Sequence, residues 1–99
     1  MAWKRILLAS LTLAATPVFS TVAQACGWYA ISVCSRNYQG AEIASERYGG
    51  QVVDTDDFEN FAGGYFCAVV GPKTKEAAEI TAYRMRSRGA YDAYIKHSC

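Results

Sequence analysis

The residues with reactive side chains in this 99-residue chain are four cysteines, Cys26, Cys34, Cys67 and Cys99, and a single histidine, His97. No cysteine pair has the C-x-x-C spacing and no second histidine joins His97, so a metal site is the less favoured interpretation. An even number of cysteines in a small exported chain is typical of disulfides. The pattern therefore predicts two disulfides, with no metal and no cofactor.

The residue pattern does not indicate an enzyme. A nucleophile needs a base held beside it and a third group that orients the base. His97 lies two residues from the end of the sequence, and the paired carboxylates lie on helix surfaces or in one acidic segment, "DTDDFEN". That segment lacks the glycine and the distal glutamate of a calcium loop, so we interpret it as a solvated hairpin tip rather than an ion site.

The first 25 residues indicate export. The first five carry two basic side chains, residues 6–15 form a mostly apolar run, and Ala23-Gln24-Ala25 supplies the small residues that a signal peptidase reads. These features predict a signal peptide over residues 1–25, cleaved before Cys26, and therefore an exported protein.

Two alternatives to a cleaved signal peptide stay open. An uncleaved membrane anchor is disfavoured because Thr16-Pro17 interrupts the apolar run well short of the roughly 20 residues that a spanning helix needs. A lipoprotein, acylated on Cys26, is disfavoured because Ala23 stands where a large aliphatic residue is expected. We therefore expect no membrane insertion after the signal is removed.

Residues 26–99 are nearly neutral, with eight Lys or Arg against nine Asp or Glu and a formal charge of minus one. Nucleic-acid binding normally requires a basic face, so no nucleic-acid partner is expected. No linker or low-complexity tract interrupts this stretch, which predicts a single domain.

Alternating apolar residues in "WYAISVC", Trp28 to Cys34, predict a first strand with one buried face. Asn37 then caps a helix over about residues 39–48, which presents Ile43, Ala44 and Tyr48. Gly49-Gly50 ends this helix.

The second half of the chain predicts two strands, a helix and a last strand. The strands cover residues 51–54 and 65–70 and are joined by the acidic segment. Gly71-Pro72 breaks the sheet, and Thr74 caps a helix over residues 75–88. The buried stripe of this helix is predicted to be Ala78, Ala82 and Met85, and Gly89 is predicted to end it. The last strand is predicted over residues 91–97.

The order strand, helix, strand, strand, helix, strand predicts an α+β fold of the βαββαβ, ferredoxin-like type. Right-handed crossovers favour a four-stranded antiparallel sheet in the order 4-1-3-2, with both helices on one face. If side chains alternate strictly along each strand, the residues that face the helices are Ile31, Val33, Phe66, Ala68, Val70, Ala93 and Ile95. The opposite face, here called the helix-free face, receives Trp28, Ala30, Ser32, Cys34, Tyr65, Cys67, Val69, Tyr94 and Lys96.

Two long segments resemble a SPOR domain and together span nearly all of residues 26–99. "WYAISVCSRNYQGAEIASERYGG" is similar to the first half of that family, and "YFCAVVGPKTKEAAEITAYRMRSRGAYDAYIK" to the second half. The most specific part is the run from "VGPKTKEAA" to "RMRSRGAYDAYI", in which strand, Gly-Pro turn, alanine-rich helix, glycine and closing strand follow the family in order and spacing.

The resemblance implies a non-catalytic module of the bacterial envelope. Its members bind peptidoglycan glycan strands stripped of stem peptides, as found at cell-division septa, through the helix-free face. The fold is also similar to RNA-binding RRM domains, but the aromatic and basic signature of those domains is absent.

Aromatic and polar side chains predicted on the helix-free face suit a sugar ligand, because sugar rings stack on aromatics while hydroxyls seek polar partners. The predicted glycan-binding residues are Trp28, Ser32, Tyr65, Val69, Tyr94 and Lys96. The alternative that these aromatics only cover a half-exposed sheet stays open.

Three residues depart from the family pattern. Ser32 stands where many members have Gln, Cys34 where Ser is frequent, and Cys67 where Arg or another polar residue is frequent. Each change removes hydrogen-bonding groups from the predicted glycan face. The alternative function is therefore a disulfide-stabilised secreted domain that binds a protein partner in the envelope.

The topology also predicts how the cysteines pair. Cys26 and Cys34 are about 26 Å apart along one extended segment, too far for a bond. In the 4-1-3-2 order the end of the first strand meets the early part of the third, and its start meets the end of the fourth. The predicted disulfides are Cys34 with Cys67 and Cys26 with Cys99, with Ile31 opposite Val70 and Val33 opposite Ala68.

Overall fold

Local sequence signals set most element boundaries. The computed structural model describes residues 26–99, and the predicted signal peptide lies outside them. The elements in chain order are β1 Gly27–Ser35, α1 Tyr38–Tyr48, β2 Gln51–Asp54, a 3-10 helix Thr55–Asp57, β3 Phe66–Lys73, α2 Lys75–Ser87 and β4 Tyr94–Ser98.

Both predicted helix caps are confirmed. The Asn37 side chain accepts a hydrogen bond from the Gly40 amide at 2.8 Å, and the Thr74 hydroxyl accepts one from the Ala77 amide at 3.2 Å. Each cap satisfies an amide that has no partner within its helix. The two helices therefore begin where a short polar side chain precedes them.

The four strands form one antiparallel sheet in the order β2-β3-β1-β4, which confirms the predicted topology. Both helices cover the same face, since Tyr48 of α1 packs against the buried cluster that includes Ala82 and Met85 of α2. Arg88 also donates a hydrogen bond to the Arg47 carbonyl at 3.2 Å, which joins the ends of the two helices.

The buried stripe of α2 is the predicted one, Ala78, Ala82 and Met85. In α1 the buried residues are Ala41 and Ala44, whereas Ile43, predicted to face inward, is 53% exposed. Ala41, Ala44 and Tyr48 lie on one side of the helix at the i, i+3, i+7 spacing, which leaves Ile43 on the flank. Alanines on this side let α1 approach the sheet closely.

A β-bulge in β1 changes which face its first half presents. Ile31 pairs with Val69 and Val33 with Ala68, so Ser32 is an extra residue with no partner of its own on β3. An extra residue reverses the alternation of everything before it. The predicted contact of Val33 with Ala68 is confirmed, and that of Ile31 with Val70 is wrong by one residue.

The bulge places Ala30 against α2, in a cluster with Ala82 and Met85. Tyr29 and Ile31 lie instead on the helix-free face, clustered with Cys67 and Val69. The prediction that Ile31 faces the helices and Ala30 faces away is therefore wrong, because it assumed strict alternation through Ser32.

Gly71-Pro72 does not break the sheet as predicted, because β3 continues to Lys73. β2 pairs only with residues 66–69 of β3, so Pro72 lies where β3 has no neighbour on the β2 side. A proline, which lacks an amide hydrogen, is tolerated at such an edge. Gly71 lies so close to β1 that a Cβ atom would be 2.7 Å from the Trp28 carbonyl oxygen.

β4 begins at Tyr94 rather than at the predicted Tyr91. The amide of Ala93 donates to the Ala90 carbonyl at 3.0 Å, which forms a turn after α2. Ala90 and Ala93 are buried against Met85, while Tyr91 points into solvent with 82% of its surface exposed. Residues 91–93, which alternation assigned to the strand, therefore belong to this turn, because Ala90 and Ala93 are both buried in the core.

The segment between β2 and β3, here the β2–β3 loop (residues 55–65), folds over the helix-free face. Phe58 and Phe61 pack on Tyr29 with ring centroids 5.5 and 6.3 Å away. The loop is also tied to β4, since Asn60 donates to the His97 carbonyl at 3.1 Å and the Ser98 hydroxyl donates to the Glu59 carbonyl at 2.7 Å. The acidic side chains Asp56, Asp57 and Glu59 are exposed, as expected for a solvated hairpin connection, whereas the phenylalanines of the loop pack on the sheet.

Within residues 26–99, neither helix has the length and apolar character required to cross a membrane.

Removing a loop aromatic should destabilise the domain. We expect Phe58→Ala to lower the free energy of unfolding by about 2 kcal/mol, less than for a fully buried phenylalanine because Phe58 is only partly buried. Tyr83→Ala is the control, since Tyr83 is 66% exposed on α2, and its cost should stay below about 0.5 kcal/mol. Urea denaturation measures both, and equal losses would contradict the packing role of the loop.

Candidate functional site

A pocket of about 220 Å³ opens on the helix-free face at the end of the sheet where β1 finishes. The β2–β3 loop forms one wall and the start of β4 another. The pocket is lined by Cys34, Thr55, Phe61, Ala62, Tyr65, Cys67, Tyr94 and Lys96. We call it the disulfide pocket, because both sulfur-bearing residues of one bridge belong to it.

Both predicted disulfides, Cys34 with Cys67 and Cys26 with Cys99, are confirmed. Cys34 and Cys67 are direct cross-strand partners on β1 and β3, on the side of the sheet that carries the pocket. Cys67 is 1% exposed while Cys34 is exposed, so the bridge forms the floor of the pocket with one sulfur-bearing residue accessible. Cys26 with Cys99 joins the two ends of the described chain.

Cross-links of this kind contribute substantially to a small domain. In the chain-entropy model, a bridge that closes a loop with a sequence separation of 33 residues stabilises the folded state by up to about 4 kcal/mol. The described residues contain no free cysteine. Two disulfides are compatible with a protein that folds outside the reducing cytoplasm.

Tyr65 is held in place from both sides. The buried Thr55 hydroxyl donates to the Tyr65 carbonyl at 3.1 Å and accepts from the Tyr65 amide at 3.1 Å, which closes the base of the β2–β3 loop. The Arg36 guanidinium lies 4.9 Å from the Tyr65 ring centroid and donates to its hydroxyl at 3.4 Å. The ring of Tyr65 thus carries a cation next to the pocket.

Tyr94 and Lys96 reach the pocket from β4. They are two residues apart and therefore share one side of the strand. Tyr94 is 45% exposed, and its partial burial raises the pKa of its phenol above the ordinary value of 10.0. The hydroxyl therefore remains protonated, and able to donate a hydrogen bond, throughout the neutral pH range.

Three of the six predicted glycan-binding residues line the disulfide pocket: Tyr65, Tyr94 and Lys96. Val69 lies on the same face but is fully buried, in the cluster that Phe58 and Phe61 cover. It cannot touch a ligand while the loop is in place.

Ser32 and Trp28 also lie away from any ligand on this face. Ser32 is 6% exposed, and its hydroxyl donates to the Ala68 carbonyl at 3.4 Å. Trp28 packs edge-to-face with His97 at 5.3 Å, and the ammonium of Lys75, the first residue of α2, lies 5.2 Å from its ring centroid. The predicted placement of Trp28 on the helix-free face is wrong, since the bulge turns its side chain toward α2.

Sequence reasoning missed Arg36, Thr55 and Phe61. Arg36 follows β1 directly and therefore lies at the strand end where the pocket opens. Phe58 in the acidic segment and Phe61 just after it were the one signal that this loop packs on something, because large apolar side chains are usually buried. Their packing partner, Tyr29, could not be predicted from the sequence, since Tyr29 lies on the helix-free face only because of the bulge.

Electrostatically, the pocket is biased toward positive charge. Lys96 is its one charged lining residue, and Arg36 adds a second cation beside Tyr65. Two carboxylates of the acidic segment are engaged by backbone amides: that of Asp54 accepts from the Asp56 amide and that of Asp56 accepts from the Gly64 amide, each at 3.0 Å. Among residues 26–99, no three acidic, histidine or cysteine side chains converge as a metal site would require.

No protein-family model, characterised protein or solved structure matches this chain at a significant level.

The disulfide pairing can be tested by mass mapping, provided the protease cuts between Cys26 and Cys34. Trypsin cannot, because the first basic residue after Cys26 is Arg36. Chymotrypsin cuts after Trp28 and Tyr29 and separates them. We expect the non-reduced, alkylated digest to link the Cys34 peptide to that of Cys67 and the Cys26 peptide to that of Cys99. A Cys34 peptide joined to Cys99 would contradict the sheet topology.

Proposed function

We propose that the protein is a non-catalytic module that binds peptidoglycan glycan strands lacking stem peptides, in the periplasm of a bacterial envelope. The observation that carries the proposal is the disulfide pocket, in which Tyr65, Tyr94 and Lys96 converge on the helix-free face. The resemblance of the sequence to SPOR domains, whose members use this face, supports the same assignment.

The chemistry of the pocket suits a saccharide. Tyr65 and Tyr94 offer aromatic surface for the apolar face of a sugar ring, and their hydroxyls offer hydrogen bonds to its polar groups. The disulfide floor is apolar and contributes contact area without competing for hydroxyls. At about 220 Å³ the pocket is smaller than the roughly 300–1,000 Å³ sites that enclose drug-sized ligands, so a glycan would place only part of its length in it.

The β2–β3 loop restricts how a strand could bind. Phe58 and Phe61 cover Tyr29 and Val69, so the part of the face toward the start of β1 is closed. A glycan would therefore lie across the strands, over Cys34 and Cys67, between Tyr65 and Tyr94. The contact is limited to a few sugar rings.

Sedimentation with purified cell-wall sacculi tests the proposal. We expect the protein to pellet with sacculi, and more of it after an amidase has removed the stem peptides. Tyr94→Ala should weaken binding about three- to tenfold, in proportion to the loss of one stacking contact.

Tyr91→Ala is the matched control, because Tyr91 is a more exposed tyrosine three residues away that does not line the pocket. Trp28→Ala is a second control, since Trp28 packs against Lys75 and His97. Loss of pelleting in these controls, with Tyr94→Ala unaffected, would place the binding surface elsewhere. Absence of pelleting under both sacculus conditions would refute glycan binding.

A second candidate function is docking onto a protein partner of the envelope. It is favoured by Ile80 and Tyr83, which lie one turn apart on the outer side of α2 and are 53% and 66% exposed. The burial of Ser32 and Val69, two predicted ligand contacts, points the same way. A protein that does not pellet with sacculi but loses a partner on Tyr83→Ala would fit this alternative.

A further inference from the structure

The charge around the disulfide pocket indicates a narrower class of ligand than saccharides in general. Lys96 lines the pocket, Arg36 adjoins it through Tyr65, and none of the eight lining residues is acidic. This local excess of positive charge occurs in a stretch of chain with more acidic than basic residues. A neutral sugar would form no ion pair with either cation.

The cations lie on different sides of the pocket. Lys96 comes from β4, whereas Arg36 follows β1 and lies against Tyr65 at the base of the β2–β3 loop. The Tyr65 hydroxyl accepts from Arg36 and therefore keeps its own hydrogen free to donate outward. A carboxylate held at Lys96 would receive a charge-assisted hydrogen bond, which is about twice as strong as a neutral one. Arg36 would add to the positive potential around the pocket.

We propose that the disulfide pocket recognises a saccharide that bears a free carboxylate, with Lys96 as the pairing cation and Arg36 and Tyr65 in support. This inference rests on the proposed function and deepens it. In peptidoglycan the lactyl group of N-acetylmuramic acid carries such a carboxylate only when no stem peptide is amide-linked to it. Charge recognition at Lys96 would thus distinguish stripped strands from peptide-bearing ones.

The preference should be visible with defined fragments. The probes are a tetrasaccharide of alternating N-acetylglucosamine and N-acetylmuramic acid, the same compound with its lactyl carboxylates methyl-esterified, and a chitin tetramer that has no carboxylate. We expect the acid to bind about three- to tenfold tighter than the ester or the chitin tetramer, by calorimetry or by amide chemical-shift titration. The difference should shrink as salt is raised.

Variants assign the preference to Lys96. Lys96→Gln should remove the difference between acid and ester, whereas Lys96→Arg should keep most of it. Lys73→Gln is the matched control, because Lys73 is also partly buried but pairs with Trp28, at the far end of β1 from Cys34. Unfolding curves for the three variants should overlay that of the wild type.

The outcomes separate this inference from the proposed function. Equal binding of acid and ester, or a preference unchanged in Lys96→Gln, would overturn carboxylate recognition while glycan binding stands. Failure of all three fragments to bind, while the protein still pellets with amidase-treated sacculi, would also overturn it, since the pocket would then not be the site. Failure to bind fragments and sacculi alike would overturn both proposals.

Discussion

The pairing of β1 with β3, shifted by one residue at Ser32, is the constraint on which the rest of the structure depends. After the bulge Cys34 faces Cys67, and before it Tyr29 and Ile31 lie on the same side of the sheet. The helix-free face therefore carries large apolar side chains along most of the central strand. In water such a face requires cover, because apolar surface costs free energy in proportion to its exposed area.

The β2–β3 loop provides that cover, and in doing so it shapes the site. Phe58 and Phe61 fill the space over Tyr29 and Val69, while hydrogen bonds from Asn60 and Ser98 hold the loop against β4. What remains open is the end of the sheet beside Cys34. Covering the core and delimiting the pocket are thus the same packing event, so changes in the loop affect stability and the site together.

The Cys34–Cys67 bridge has a similar double role. It joins the central strand to its neighbour, and it forms an apolar floor on which Tyr65, Tyr94 and Lys96 converge. Ser32, which alternation assigned to this face, is not available to a ligand, since its hydroxyl donates to the Ala68 carbonyl inside the fold. The pocket therefore depends on its aromatic rim and its cations rather than on a row of polar side chains along the strands.

Local patterns in the sequence were sufficient for the element order, both helix caps, the buried stripe of α2, the strand order and both disulfides, because each depends on neighbours along the chain or on connection rules. Of the predicted glycan-binding residues, Tyr65, Tyr94 and Lys96 line the disulfide pocket, because they lie on strands or strand ends whose alternation is regular. Trp28 and Ile31 were assigned to the wrong faces, since nothing local marks the one-residue insertion at Ser32. Only the tertiary structure decided where the bulge falls, because it depends on matching β1 to β3 while Phe58 and Phe61 pack on Tyr29, and these contacts join residues far apart in the chain.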